Sequence, residues 1–291
     1  MIECVVYLLY HQWINTQLFT SLMINPIKKI IHYGSDSQQY GQLIKHSNAK
    51  KSPVVVVIHG GYWKDNHSVD SYPTTAIVDY LTSLDVSIWN LEYRRMESLG
   101  ENSKAPWPAV HQDIADGIDF LAEICVEENL DLSRILIIGH SAGGHLAAWA
   151  SSRAQIPPTS VLFKPSALKI QSVLSIAGIL NLSHCEDVDQ PEQALRLMEG
   201  SYDQFPERYQ ACDPNLLHNS CVDLSIMHGN EDKCVEISQA LSYCENASGN
   251  VEKIILPQAD HFSMLPHEGK WHQEHWLQLK NIINNKIIAL G

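Results

Sequence analysis

Five β-branched residues in succession, Val54-Val55-Val56-Val57-Ile58, follow Pro53 and lead into His59-Gly60. A strand with one wet face alternates apolar and polar residues. An unbroken apolar run reads as a strand buried on both faces, which is the habit of parallel sheets covered by helices. Similar runs stand at Val86–Leu91, Ile135–Ile138, Ser172–Ile176, Leu224–Met227 and Val251–Leu256, the last closed by Pro257. Helical patterns lie between them. Thr74–Leu84 is one, and Val110, Ile114, Ile118, Leu121 and Cys125 recur at three- or four-residue spacing on one face. Leu146–Ala150, Val235–Cys244 and Trp271–Leu290 follow. Strands alternating with helices predict an α/β fold with a mostly parallel central sheet and helices on both faces. Ligands of such sheets bind outside the carboxyl ends of the strands, so chemistry is expected just after each run.

The length of 291 residues suits one such domain over 31–291, with residues 1–30 as an N-terminal arm. Residues 183–220 interrupt the rhythm with acidic, proline-containing and short helical pieces, Gln193–Glu199 among them. Two readings stand for them, a small cap over the site or a plain surface excursion. The formal charge of −13 disfavours nucleic acid and anionic membranes, both of which reward clusters of Lys and Arg. A small-molecule substrate is the expected partner, and a homodimer is left open. Seven cysteines (Cys4, Cys125, Cys185, Cys212, Cys221, Cys234 and Cys244) form no C-x-x-C pair. They read as free thiols of a reducing compartment. The apolar stretch Val5–Tyr10 follows Glu3 and precedes the first basic residue, Lys28. It lacks the basic start and length of a secretory signal. Nor does any stretch reach the roughly 20 apolar residues of a membrane span. A cytoplasmic protein is expected.

The third run leads directly into Gly139-His140-Ser141-Ala142-Gly143-Gly144, a G-x-S-x-G sequence between a strand and a helix. That spacing has a mechanical reason. The serine occupies a strained turn, so its neighbours must be small, and the turn lifts Oγ clear of the sheet. It also brings the next N–H, that of Ala142, beside a reacting carbonyl. A serine needs a base held by an acid to become a nucleophile. In the α/β-hydrolase fold the acid and then the histidine follow the serine in chain order. His228-Gly229-Asn230-Glu231-Asp232 follows the fifth run, which nominates Asp232, with Glu231 as a rival and Asp223 as a remote one. Asp260-His261-Phe262 follows the last run and nominates His261 over His267, His272 and His275.

The remaining histidines read as structural. His140 should point away from the reacting atom, His145 should pack in the first helical turn, and His228 should shape the acid loop. No H-E-x-x-H or comparable ligand spacing occurs, so no metal and no cofactor are expected. After the first long run comes His59-Gly60-Gly61-Tyr62-Trp63, where this fold draws a second oxyanion donor. The amides of Gly61 and Tyr62 are expected to act with that of Ala142. His59 is expected to anchor the loop. Tyr62 and Trp63 are candidates to wall the substrate pocket, against ordinary packing under the loop.

His59–Trp63 resembles the H-G-G-x-W signature of arylformamidases, also called kynurenine formamidases. The likeness continues through Asn90-Leu91-Glu92-Tyr93-Arg94-Arg95, Trp107-Pro108, Gly139–His145 and the Asp232 and His261 segments, and covers roughly residues 33–275. It implies a Ser141–Asp232–His261 triad with an oxyanion loop at Gly60–Trp63, and hydrolysis of N-formylkynurenine in tryptophan breakdown. Related bacterial proteins with this loop resemble carboxylesterases of feruloyl type. Tyr62 stands where hormone-sensitive-lipase relatives carry a third glycine, which disfavours a bulky-ester lipase. A non-catalytic binding module and a peptidase of the same fold are the rivals.

Overall fold

The computed structural model describes residues 26–46, 51–97, 105–218, 221–247, 249, 251–268 and 271–291. The expected arm falls mostly on residues 1–25, which lie outside the described residues. The sheet itself begins before residue 31, with β1 at Ile27–His32.

The strands continue with β2 (Tyr40–Lys45), β3 (Ser52–Ile58), β4 (Ser87–Leu91), β5 (Leu130–His140), β6 (Ser172–Ile176), β7 (Asp223–Gly229) and β8 (Val251–Leu256). Their order across the sheet is β1-β2-β4-β3-β5-β6-β7-β8. From β4 to β8 every pairing is parallel, while β1 and β2 add antiparallel strands at one edge. These two edge strands were not foreseen. Ile27–His32 is largely exposed and rich in lysine, and Tyr40–Lys45 is short and mixed, so neither carries the signal of a doubly buried strand.

The valine run of β3 divides cleanly between the two faces. Val54, Val56 and Ile58 join one core with Val110, Ile114, Trp149 and Tyr243, whereas Val55 and Val57 join a second core with Ile77, Leu81, Leu279 and Ile283. The first core is covered by α2 (Ala109–Asp119), α3 (Leu121–Ile124), α4 (Ala142–Ser151) and α7 (Ser238–Asn246). The second is covered by α1 (Thr75–Leu81) and α8 (Gln273–Ala289). Burying each such aliphatic side chain contributes about 1.5–3 kcal/mol, and the five residues Val54–Ile58 are all fully buried. At the C-terminal end, the Lys286 ammonium lies 2.8 Å from the Asp223 carboxylate, fastening α8 under the sheet. Asp223 thus has a structural task and is no triad acid.

Between β6 and β7, α5 (Glu192–Met198), α6 (Pro206–Cys212) and a 3-10 turn (Pro214–Leu216) form the expected insertion. Ala194, Leu197, Met198, Tyr209 and Ala211 pack it onto the first core. Residues 187–190 are pinned to the acid loop. Val188 bridges Val235, the Asp189 amide donates to the Cys234 carbonyl at 3.0 Å, and the Glu236 amide donates to the Asp187 carbonyl at 2.9 Å.

The turn from β5 into α4 depends on absent side chains. A Cβ on Gly139 would stand 2.0 Å from the Gly143 oxygen, and one on Gly143 would stand 2.2 Å from the Ile58 oxygen and 2.6 Å from the His59 oxygen. Both obstacles are backbone, which cannot step aside as a side chain can. Gly143→Ala is therefore expected to destabilise the protein by about 2 kcal/mol or more. The urea midpoint with an unchanged slope measures it, and an unshifted midpoint would show that α4 can withdraw from β3 without cost.

Candidate active site

Four chain segments converge at the carboxyl end of the sheet. β5 delivers Ser141, β7 delivers Asp232, the loop after β8 delivers His261, and β3 delivers His59–Trp63. Ser141 adopts φ 57° and ψ −123°, a conformation that L-residues avoid and that costs of order 1–3 kcal/mol. Its amide donates to the Ile176 carbonyl at 2.8 Å, which holds the turn against β6. Ser141 is 2% exposed and His261 5%.

His261 Nδ1 donates to Asp232 Oδ2 at 2.7 Å. That contact fixes the tautomer and leaves Nε2 as the basic nitrogen. The other carboxylate oxygen accepts the amides of Cys234 and Val235, both at 2.9 Å. Burial opposes ionisation of Asp232, but the His261 hydrogen bond and charge, together with the Val235 amide, outweigh it and hold the carboxyl below its ordinary value. Glu231, the rival acid, is exposed. His267 Nδ1 donates to the Leu265 carbonyl at 2.8 Å, His272 is exposed, and His275 is a buried residue of α8. None of the three has Asp232 as a partner among the described residues.

The loop after β3 carries three successive positive φ angles, 106° at Gly61, 50° at Tyr62 and 57° at Trp63. It is held by the Lys64 amide on the Gly61 carbonyl at 2.9 Å and by the Met96 amide on the Trp63 carbonyl at 2.8 Å. Gly61 and Tyr62 donate their own amides to no backbone carbonyl among the described residues. Ala142, first residue of α4, has no intrahelical acceptor for its amide. The partial positive charge of a helix start adds to these free donors. His59 anchors the loop as expected, with Nε2 on Glu92 Oε1 at 2.9 Å and Nδ1 on the Gly60 carbonyl at 2.8 Å. Glu92 also accepts the amides of Val69 and Tyr93. Burial resists its charge, yet His59, Arg95 and the Tyr93 amide hold it below the ordinary glutamate value.

The aromatic pair of the loop is placed differently from expectation. Trp63 is fully buried, its ring edge-on to His145 with centroids 5.3 Å apart, so it packs rather than walls a pocket. The Tyr62 hydroxyl turns to the Asp189 carboxylate of the insertion and lies 3.0 Å from the Cys234 carbonyl. Tyr62 thus ties the His59–Trp63 loop, the insertion and the segment after Asp232 together. Burial and Asp189 push its phenol well above the ordinary value.

Three histidines fill the structural roles assigned to them. His145 Nε2 donates to the Cys212 carbonyl at 3.1 Å, His228 Nε2 to the Val235 carbonyl at 2.8 Å, and His140 Nε2 to the His261 carbonyl at 2.8 Å. Tyr72 was not singled out, and its hydroxyl lies 2.8 Å from His140 Nδ1. It sits in a polar stretch ahead of α1, where nothing in the local pattern marks it. Glu92 figures in the sequence only as part of the Asn90–Arg95 stretch, with no role assigned, and Asp189 is not singled out, since the roles of both exist only across distant loops.

One family matches residues 43–246, a range that includes the Ser141 turn and Asp232 and ends before His261: BD-FAE. The chain belongs to the BD-FAE family. Among curated relatives it is 24% identical to the esterase LipQ of Mycobacterium tuberculosis, over 73% of this chain and 50% of LipQ. It is 26% identical to a probable isoprenylcysteine alpha-carbonyl methylesterase of Arabidopsis thaliana, over 87% of this chain and 52% of the relative. This BD-FAE chain therefore spans about half the length of the curated relatives it matches. Among solved structures, a truncated carbohydrate esterase from gut microbiota superposes with a TM-score of 0.72 at 19% identity, covering 91% of this chain and 98% of the other. A Thermogutta terrifontis esterase with propionate bound gives 0.70 at 17% identity, covering 91% and 94%. At such identities these structures establish the shared α/β-hydrolase fold. No described helix is long and apolar enough to cross a membrane.

Behind the Ser141 turn, burial sets the acid sensitivity of this BD-FAE member. His145 is fully buried and pushed down to about 4 by burial, partly relieved by the Cys212 carbonyl. Above its ordinary value of 6.5, His145 is neutral folded or unfolded. From pH 6.5 down to about 4 the unfolded chain binds a proton that the folded chain refuses, so stability falls across that window. His145 alone accounts for a loss on the order of 3 kcal/mol by pH 4. Fully buried His111 shifts in the same direction. His145→Gln keeps an amide donor for Cys212 and cannot titrate. Its urea midpoint is expected to fall less than that of the unaltered protein between pH 7.5 and 4.5, and parallel losses would exclude His145 as a source of acid lability.

Proposed function

We propose that this chain is a serine carboxylesterase that cleaves small esters through an acyl-enzyme on Ser141. The observation that carries the reading is the 2.7 Å Asp232–His261 bond at the strand ends beside a serine held at positive φ. In the first step Ser141 Oγ attacks the ester carbonyl carbon while its proton passes to His261 Nε2. Asp232 steadies the imidazolium through Nδ1. The carbonyl oxygen becomes an oxyanion against the amides of Ala142, Gly61 and Tyr62, where removing one donor typically costs about 3–4 kcal/mol of transition-state stabilisation. Collapse breaks the bond to the leaving alkoxide or phenolate, which takes the proton from His261. Water then gives a proton to His261 and attacks the acyl carbon, and Ser141 recovers its proton as the acid departs. The names of the relatives, both esterases, support the same chemistry.

A narrower reading concerns the acyl group. The His59–Trp63 loop that resembles arylformamidases favours aryl formamides, N-formylkynurenine among them, beside short esters. An aniline-type nitrogen leaves more readily than an alkyl amine, so the steps above serve both bonds. The Tyr62 tie to Asp189 and Cys234 closes the insertion toward the oxyanion loop, which favours a small acyl group.

Ser141→Ala is expected to lower hydrolysis of p-nitrophenyl acetate to background and to abolish labelling by a fluorophosphonate, at an unchanged urea midpoint. Retained turnover in this variant would exclude Ser141 as nucleophile, and an unlabelled native protein would point to a binding module. Asp232→Asn should lower kcat by about 10⁴-fold, as in other triads where the acid sets the histidine tautomer. Glu231→Gln should leave it near the native value. Comparing kcat/KM for N-formylkynurenine with that for aryl acetates decides the narrower reading, and formamide cleavage far below ester cleavage would remove it.

A further inference from the structure

The nitrogen atoms of His140 fix the direction of a short chain of hydrogen bonds. Nε2 lies 2.8 Å from the main-chain oxygen of His261. A carbonyl only accepts, so Nε2 carries a proton. His140 is fully buried, and burial with the neighbouring His261 keeps the ring neutral. A neutral imidazole has one N–H, so Nδ1 presents a lone pair. The Tyr72 hydroxyl, 2.8 Å from Nδ1, must therefore donate to it. A phenol has a single proton, and this one is committed. Tyr72 therefore has no proton left for any other partner.

The seat of that hydroxyl is built into the oxyanion loop. A Cβ on Gly60 would stand 2.5 Å from the Tyr72 hydroxyl and 2.6 Å from the His140 carbonyl oxygen. Tyr72 is 2% exposed, and its ring packs between His67, His140 and Phe262 with centroids 5.2–6.3 Å away. The His140 and His261 rings are 4.7 Å apart. The residue just before Ser141 thus holds the main chain of His261 from behind, and Tyr72 holds that residue in turn.

We infer that Tyr72 is a positioning residue of this site, fixing the His140 tautomer that suspends the main chain of His261 beside Ser141. This rests on Ser141 and His261 acting as proposed above. When Ser141 attacks, its proton goes to His261 Nε2, whose ring is kept in place by a main chain held from His140. Tyr72 gives no proton to the oxyanion, because its own stays in the hydrogen bond it donates to His140.

The test has a spectroscopic arm and a kinetic arm. In protein labelled with ¹⁵N-histidine, His140 is expected as the neutral Nε2–H tautomer with the Nδ1 shift of a hydrogen-bonded lone pair. Tyr72→Phe should move Nδ1 toward an unbonded value without changing the tautomer. A proton on Nδ1 in the native protein, or an Nδ1 shift indifferent to Tyr72→Phe, overturns the inference. This arm needs no turnover, so it stands apart from the esterase reading, which fails separately if native protein neither hydrolyses aryl esters nor takes up a fluorophosphonate. In the kinetic arm Tyr72→Phe should lower kcat roughly tenfold or more with KM little changed, the scale of one unpaired buried hydrogen-bonding group. His140→Asn should cost a similar factor, and the double variant no more than the larger single one, since both break one chain. Multiplying losses, or an unchanged kcat in Tyr72→Phe, would sink the positioning role.

Discussion

The left-handed turn at Ser141 is the constraint on which the site depends. Within one residue the chain passes from β5 into α4, at φ 57°. Gly139 and Gly143 let the helix close onto β3 at distances no side chain would permit. The turn in turn needs a rigid frame, and the frame is a sheet buried on both faces. Were β3, β5 and β6 free to shift, a residue held at a cost of a few kcal/mol would relax into an ordinary conformation.

The same closeness explains the polar arrangement around the turn. Because α4 starts against the end of β3, the loop His59–Trp63 is forced through three positive φ angles. It stays there because His59 is bound to Glu92, which is buried and held by further amides. On the opposite side Asp232 is fixed by the Cys234 and Val235 amides before it meets His261. The His59–Trp63 loop and His261 are thus each oriented by a partner in another segment, and Asp232 by amides of its own loop. The insertion joins this system rather than hanging over it, since Asp187–Gln190 is tied to residues 234–236 and to Tyr62.

Buried histidine is the recurring means of connecting these loops. His140, His145 and His228 each hand one N–H to a main-chain carbonyl in a different segment. Burial depresses all three, so they work as neutral donors with one lone pair to spare. For His140 that lone pair is taken up by Tyr72, and for His145 it is left without a protein partner among the described residues. Acid lability is the consequence of building with imidazole instead of amide.

The sequence by itself determined the parallel part of the sheet, the helices between its strands, and the order Ser141, Asp232, His261. It could do so because those features have local signatures: an unbroken apolar run such as Val54–Ile58, a 3.6-residue period, and a glycine-flanked serine after a strand. It did not reveal β1, whose exposed lysines hide an edge pairing, or β2, which is short and mixed. Nor could it tell that Trp63 packs inward against His145, that Tyr62 reaches Asp189 across 127 residues, or that Tyr72 bonds His140 across 68. Such contacts have no period and no spacing in the chain. They exist only once the sheet has brought its strand ends together, so tertiary structure alone decided them.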